Sequence, residues 1–200
     1  EHEECKQRHD GLTPAEYFDR CGLFEAKTTA AHCIYLEKQD FEIVKEKGIT
    51  VATCPKSNLK LASGIAQVPA MLSSGINVAI GTDSVASNNN LNMLEEVKTF
   101  ALLHKGNSKD PTAITAAQAL HAATRAGALS QSREDCGLIK KGFKADLAVV
   151  DVSAPYMHPV HDLLSNLIYS ACGTDVKLTM CEGTVLYNNG EYKTIDIEDV

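Results

Sequence analysis

The chain predicts an α/β fold, a parallel sheet flanked by helices, followed by a smaller β-rich unit. Three observations carry this. Three apolar, partly β-branched runs are each followed by a helical pattern at short spacing. Gly or Pro punctuates nearly every junction. Beyond about Cys136 the helical patterns stop and short strand-like runs take over.

In chain order, residues 1–8 are charged and helix-compatible, and His9-Asp10-Gly11 ends them with turn residues. Thr13-Pro14-Ala15-Glu16 reads as a helix start, with Thr as N-cap, Pro first and Glu third. That helix runs through Tyr17, Phe18 and Cys21 to Gly22. From Lys27 a first strand leads to His32, and Glu37–Lys47 is a helix closed by Gly48. Ile49–Cys54 is the second strand, ended by Pro55; Lys56-Ser57-Asn58 is expected to be a polar loop, and Ile65–Ser74 a helix. Ile76–Ile80 is the third strand. Gly81 breaks it, Thr82-Asp83-Ser84 delivers a carboxylate, a Ser/Asn loop follows, and Asn92–His104 is helical. Three strands do not close a barrel, and no G-x-G-x-x-G marks an open nucleotide-binding sheet, so half a barrel is the economical reading. Thr115–Ala128 is expected as one alanine-rich helix. Strands are expected at Leu147–Val152, Val176–Cys181 and Thr184–Tyr187, the last two joined by a Glu182-Gly183 hairpin turn.

The totals exclude several classes. The composition, 44% hydrophobic and 22% charged, is that of a soluble globular chain. Net charge is −7 without a large Lys/Arg cluster, which argues against nucleic acid or an anionic membrane as partner. No apolar run approaches a membrane span. Seven cysteines, an odd number with no C-x-x-C pair, favour free thiols and a reducing cytoplasm. Cys33, Cys54 and Cys181 lie in or beside apolar runs and are expected to pack as small hydrophobes.

His32 ends the first strand and Asp83 the third, so both belong to one rim, the carboxyl edge where α/β chemistry sits. On the residues alone, Asp83 is either a turn cap or a catalytic carboxylate. A catalytic zinc needs three protein ligands, and these two groups do not supply them. His2, His9, His104, His121, His158 and His161 are weak candidates; the last two lie in a Pro-bounded surface loop.

Ala30-Ala31-His32-Cys33, Pro55-Lys56-Ser57-Asn58-Leu59-Lys60-Leu61-Ala62-Ser63-Gly64, and Gly81-Thr82-Asp83 with Ala86-Ser87-Asn88-Asn89 resemble the amidohydrolase superfamily. More narrowly they are similar to its 5-methylthioadenosine/S-adenosylhomocysteine deaminases. Gly137-x-Ile139-x-x-Gly142-x-x-Ala145-Asp146-Leu147 resembles the return strand into that superfamily's second β-domain. The resemblance implies the C-terminal part of a metal-dependent (β/α)8 TIM barrel at residues 1–136. Residues 137–200 would then be part of a small β-sandwich domain. It implies a zinc-dependent enzyme, a hydrolase converting an adenosine-type nucleoside to its inosine product and ammonia. Asp83 matches the Asp that binds the metal, contacts substrate and takes a proton from the attacking water. His32 matches a His that orients the nucleophile and contacts substrate, or ligates metal in binuclear relatives. Ser87 matches a substrate-contacting Ser.

The family's H-x-H and H-x-x-E motifs are missing, and His2-Glu3-Glu4-Cys5 does not replace them. The other ligands are therefore expected upstream of residue 1, with His-x-x-Glu-Thr just before Glu1, and a final helix is expected past Val200. Thr53 stands where relatives often carry His. Guanine deaminases and triazine hydrolases share the His and Asp positions and stay open, as does a non-catalytic barrel remnant. A small-molecule nucleoside is the implied partner, and a homo-oligomer stays open.

Overall fold

The structure, a computed structural model, describes residues 2–199. The expected helix start at Glu1 and the continuation past Val200 lie outside them.

The first helix, α1 (His2–Arg8), leads to α2 (Pro14–Arg20). The Thr13/Glu16 pairing forms as expected: Glu16 N donates to Thr13 Oγ1 at 3.1 Å, and Thr13 N to Glu16 Oε2 at 2.8 Å. Three strand–helix units follow: β1 (Thr29–Ala31) with α3 (Lys38–Glu46), then β2 (Thr50–Thr53) with α4 (Pro55–Lys60) and α5 (Val68–Ser73), then β3 (Val78–Ile80). All pairing is parallel, Thr29 beside Thr50 and Val51 beside Val78, in the order β1-β2-β3. The fold is mixed α/β, as expected. After β3 come a short α6 (Val85–Asn88), the long α7 (Met93–Ser108), α8 (Ala116–Ala123) and α9 (Arg125–Ser130). A second, antiparallel sheet holds β4 (Leu147–Val150), β5 (Val176–Cys181), β6 (Thr184–Asn188) and β7 (Glu191–Tyr192), with α10 (Leu163–Tyr169) between β4 and β5.

The core lies against β2 and β3. Val51, Val78 and Ala79 are buried on the two strands, and Val68 and Met71 of α5 pack with them. Helix α7 buries Val97, Phe100, Ala101 and His104, a spacing that lays one stripe along its inner face. Ala119 and Ala122 of α8 are buried as well, small enough to let helices approach closely.

Four expectations need correction. Lys56-Ser57-Asn58 is not a loop but the first turn of α4, because Pro55 occupies a first-turn position where its missing N–H costs nothing. The helix expected over Ile65–Ser74 is shorter, since Pro69 restrains the residue before it and sits in the first turn of α5. The alanine-rich helix is broken at Thr124 (φ −122°, ψ −87°), whose hydroxyl donates to Leu120 O at 2.7 Å. Cys181 is exposed at the end of β5, although all seven thiols are free. The Glu182-Gly183 hairpin stands, both residues having the positive φ its turn needs (48° and 83°). His158 and His161 are exposed.

Candidate active site

The parallel register sets the rim. Ala31, Ala52 and Ala79 lie side by side, so the residues after each strand emerge along one edge. His32 N donates to Ala52 O, and Gly81 N to Thr53 O, both at 2.9 Å, which extends the ladder to the residues that leave it. His32 (φ 64°), Cys33 (φ 48°) and Asp83 (φ 59°) then adopt left-handed backbone, uncommon for any residue but glycine and carrying more strain at Cys33 than at His32 and Asp83, whose residue types are enriched there. Such strain persists where surrounding structure enforces it, and it gathers at functional sites.

Asp83 accepts three hydrogen bonds. Oδ2 takes one from Ser57 Oγ at 2.6 Å and one from Ser87 Oγ at 2.8 Å; Oδ1 takes one from Ser84 N at 2.8 Å. These donors, Ser57 foremost, hold the carboxyl down to about 2, with the His32 ring adding a smaller lowering. Asp83 is therefore a carboxylate throughout the neutral range.

His32 is fixed by the same helix that supplies Ser57. Its Nδ1 lies 2.8 Å from Asn58 Oδ1. An amide oxygen only accepts, so Nδ1 donates, which leaves Nε2 as the ring nitrogen turned to other partners. Ser57 and Asn58 are buried neighbours in the first turn of α4. One short helix thus sets both rim residues. The sequence assigns no role to Ser57 or Asn58, because their segment reads as a loop; the Pro after a strand is the available signal for a helix start.

Ser87 lies on α6, one turn beyond Ser84, which caps that helix by accepting from Ala86 N at 3.1 Å. Its hydroxyl proton goes to Asp83 or to Ser84 O, at 3.1 Å, so what it offers to anything else is lone pairs. Burial pushes the Cys33 and Cys54 thiols up to about 11, and the Asp83 charge adds to the Cys54 shift. Both are poor nucleophiles.

Among the described residues no three His, Cys, Asp or Glu side chains converge as a metal site. The carboxylate and imidazole present suit a zinc-type ion chemically. They fit one side of such a site and do not complete it.

Residues 1–186 match the amidohydrolase family. The chain belongs to that family. It is 47% identical over 190 residues to the 5-methylthioadenosine/S-adenosylhomocysteine deaminase of Dictyoglomus thermophilum, covering 95% of this chain and 45% of that protein. It is 46% identical over 198 residues to the 5'-deoxyadenosine deaminase of Methanopyrus kandleri, covering 98% of this chain and 46% of that protein. Its fold superposes with a TM-score of 0.95 on an adenosine deaminase from Xanthomonas campestris with bound zinc. That match has 37% identity and covers 100% of this chain and 45% of that one. This amidohydrolase chain thus spans slightly less than half the length of the relatives it matches. No helix among its described residues is long and apolar enough to cross a membrane.

Proposed function

We propose that this chain is the C-terminal part of a zinc-dependent aminohydrolase. It would act on an adenosine-type nucleoside, exchanging the purine amine for a carbonyl with one water consumed and one ammonia released. The observation that carries the reading is the Asp83–Ser57/Asn58–His32 constellation on a strained carboxyl rim. The deaminase relatives support the substrate class. Residues 1–136 would belong to a (β/α)8 barrel and 137–200 to a composite β-sandwich. The outer strands β1 and β3 each pair only with β2 among the described residues, which suits a sheet continued by further strands.

Asp83 would hold one side of a divalent metal, whose ordinary contribution is to make water nucleophilic near neutral pH. Three donors keep Asp83 anionic, and they also make it a weak base. His32 would orient the attacking oxygen or touch substrate through Nε2. Ser87 would contact substrate through its lone pairs while helping to fix Asp83.

The test is Asp83→Asn in the full-length protein, assayed for ammonia release from 5-methylthioadenosine, adenosine, guanine and a triazine. Activity on the adenosine-type compounds, abolished in the variant, supports the reading. Near-normal turnover in the variant removes Asp83 from the mechanism, and turnover only of guanine or the triazine reassigns the substrate.

A further inference from the structure

Glu96 is a carboxylate on the buried stripe of α7, 0% exposed, with no ion pair among the described residues. A buried charge of this kind is expensive unless specific donors surround it. Those donors come from the two segments that build the rim. Oε1 accepts from Asn88 Nδ2 at 2.6 Å, and Oε2 lies 3.4 Å from Lys56 N, a helix-start N–H of α4. Asn88 gives its second amide hydrogen to Thr82 O, also at 2.6 Å, directly before Asp83. The neighbouring Glu95 binds the Lys56 ammonium at 2.9 Å, so α7 grips the start of α4 twice.

We infer that Glu96 is a positioning residue for the rim: it ties the start of α4, which carries Ser57 and Asn58, to the Thr82–Asn88 turn, which carries Asp83. This deepens the proposed aminohydrolase reading and rests on it. Glu96 touches no reacting group; it acts through Asn88 and Lys56. Both of its partners are donors, so the position needs two acceptor oxygens. A Gln there keeps one and sets an NH2 against the other donor. Burial raises the Glu96 carboxyl above the usual range, while the Asn88 and Lys56 donors work against that rise.

The test uses the full-length protein with 5-methylthioadenosine. Glu96→Gln, Asn88→Ala and the double variant are compared with Asp83→Asn, with folding checked by thermal melting. Small misplacements of reacting groups cost on the order of tenfold to a hundredfold in rate. Each single variant is therefore expected to lose roughly tenfold in kcat per folded enzyme, with KM within about twofold. The double variant is expected to be no worse than the poorer single, because both cut one chain of contacts. Retained kcat in the singles, or losses that multiply in the double, overturns the inference. If Glu96→Gln does not fold, Asn88→Ala decides alone, retained kcat overturning the inference and a kcat-only loss supporting it. Should Asp83→Asn be inactive and the Glu96 variant normal, only the positioning role falls. A normal Asp83→Asn removes the site reading beneath it.

Discussion

His104 gives the chain a built-in sensitivity to acid. The ring is 2% exposed on the inner face of α7, edge-on to Phe100 with ring centroids 5.1 Å apart, and its Nε2 has no hydrogen-bond partner. Burial alone drives its pKa from the ordinary 6.5 down to about 4; no charged neighbour contributes. The folded state therefore refuses a proton that the unfolded chain accepts. Between about pH 6.5 and pH 4 the unfolded state binds more protons, so stability falls as pH falls through that window. At ~1.36 kcal/mol per pH unit, the gap amounts to about 3 kcal/mol. Glu96 acts in the opposite sense: its raised pKa makes the folded state the better proton binder, and acid relieves it. Comparing variants isolates the histidine. His104→Leu removes the titrating group, trading the edge contact (about 0.5–1.5 kcal/mol) for relief of an unpaired buried nitrogen. Urea unfolding of the parent and His104→Leu across this window is expected to show a shallower loss in the variant, by about 3 kcal/mol. Parallel curves would refute the assignment of acid sensitivity to His104.

Three further outcomes are expected. Ser57→Ala removes the leading donor to Asp83 and should lower kcat of the full-length protein on the order of tenfold; an unchanged kcat shows that this bond does not set the carboxylate. Gly137→Ala places a Cβ 2.7 Å from Arg125 Cα at φ +79°, so it should cost about 2–4 kcal/mol by thermal melting. A cost below about 1 kcal/mol would mean that the segment gives way easily. The 200-residue chain alone should lose zinc on dialysis and release no ammonia from 5-methylthioadenosine, because its rim supplies fewer than three ligands. Stoichiometric zinc with turnover would refute this.

What was legible in the sequence followed from local rules. The runs ending at Ala31, Thr53 and Ile80 are short and punctuated, so the parallel units and the shared rim of His32 and Asp83 are legible from local pattern. The Thr13 cap was legible for the same reason, having its Glu three residues on. Thr124 was not. Its neighbours are good helix formers, and the break depends on a Thr hydroxyl turned back to Leu120 and on Gly137 pressed against Arg125, thirteen and twelve residues distant from Thr124 and Arg125 respectively.

The same distinction separates the two shells of the site. His32 and Asp83 announce themselves because a strand end is a local feature. Ser57 and Asn58 were visible as residues, but their use depends on α4 beginning at Pro55, so that successive side chains reach different rim partners 26 residues away in either direction. Glu96 was invisible: in the pattern of α7 it is one more acidic residue of a first turn, where the helix dipole favours such charges on any surface helix. Only packing reveals that Glu95 serves the surface pair with Lys56 while Glu96 is turned inward. A buried acceptor facing donors 8 and 40 residues away is a property of the assembled rim, and those donors are why a carboxyl group without an ion pair among the described residues can remain there.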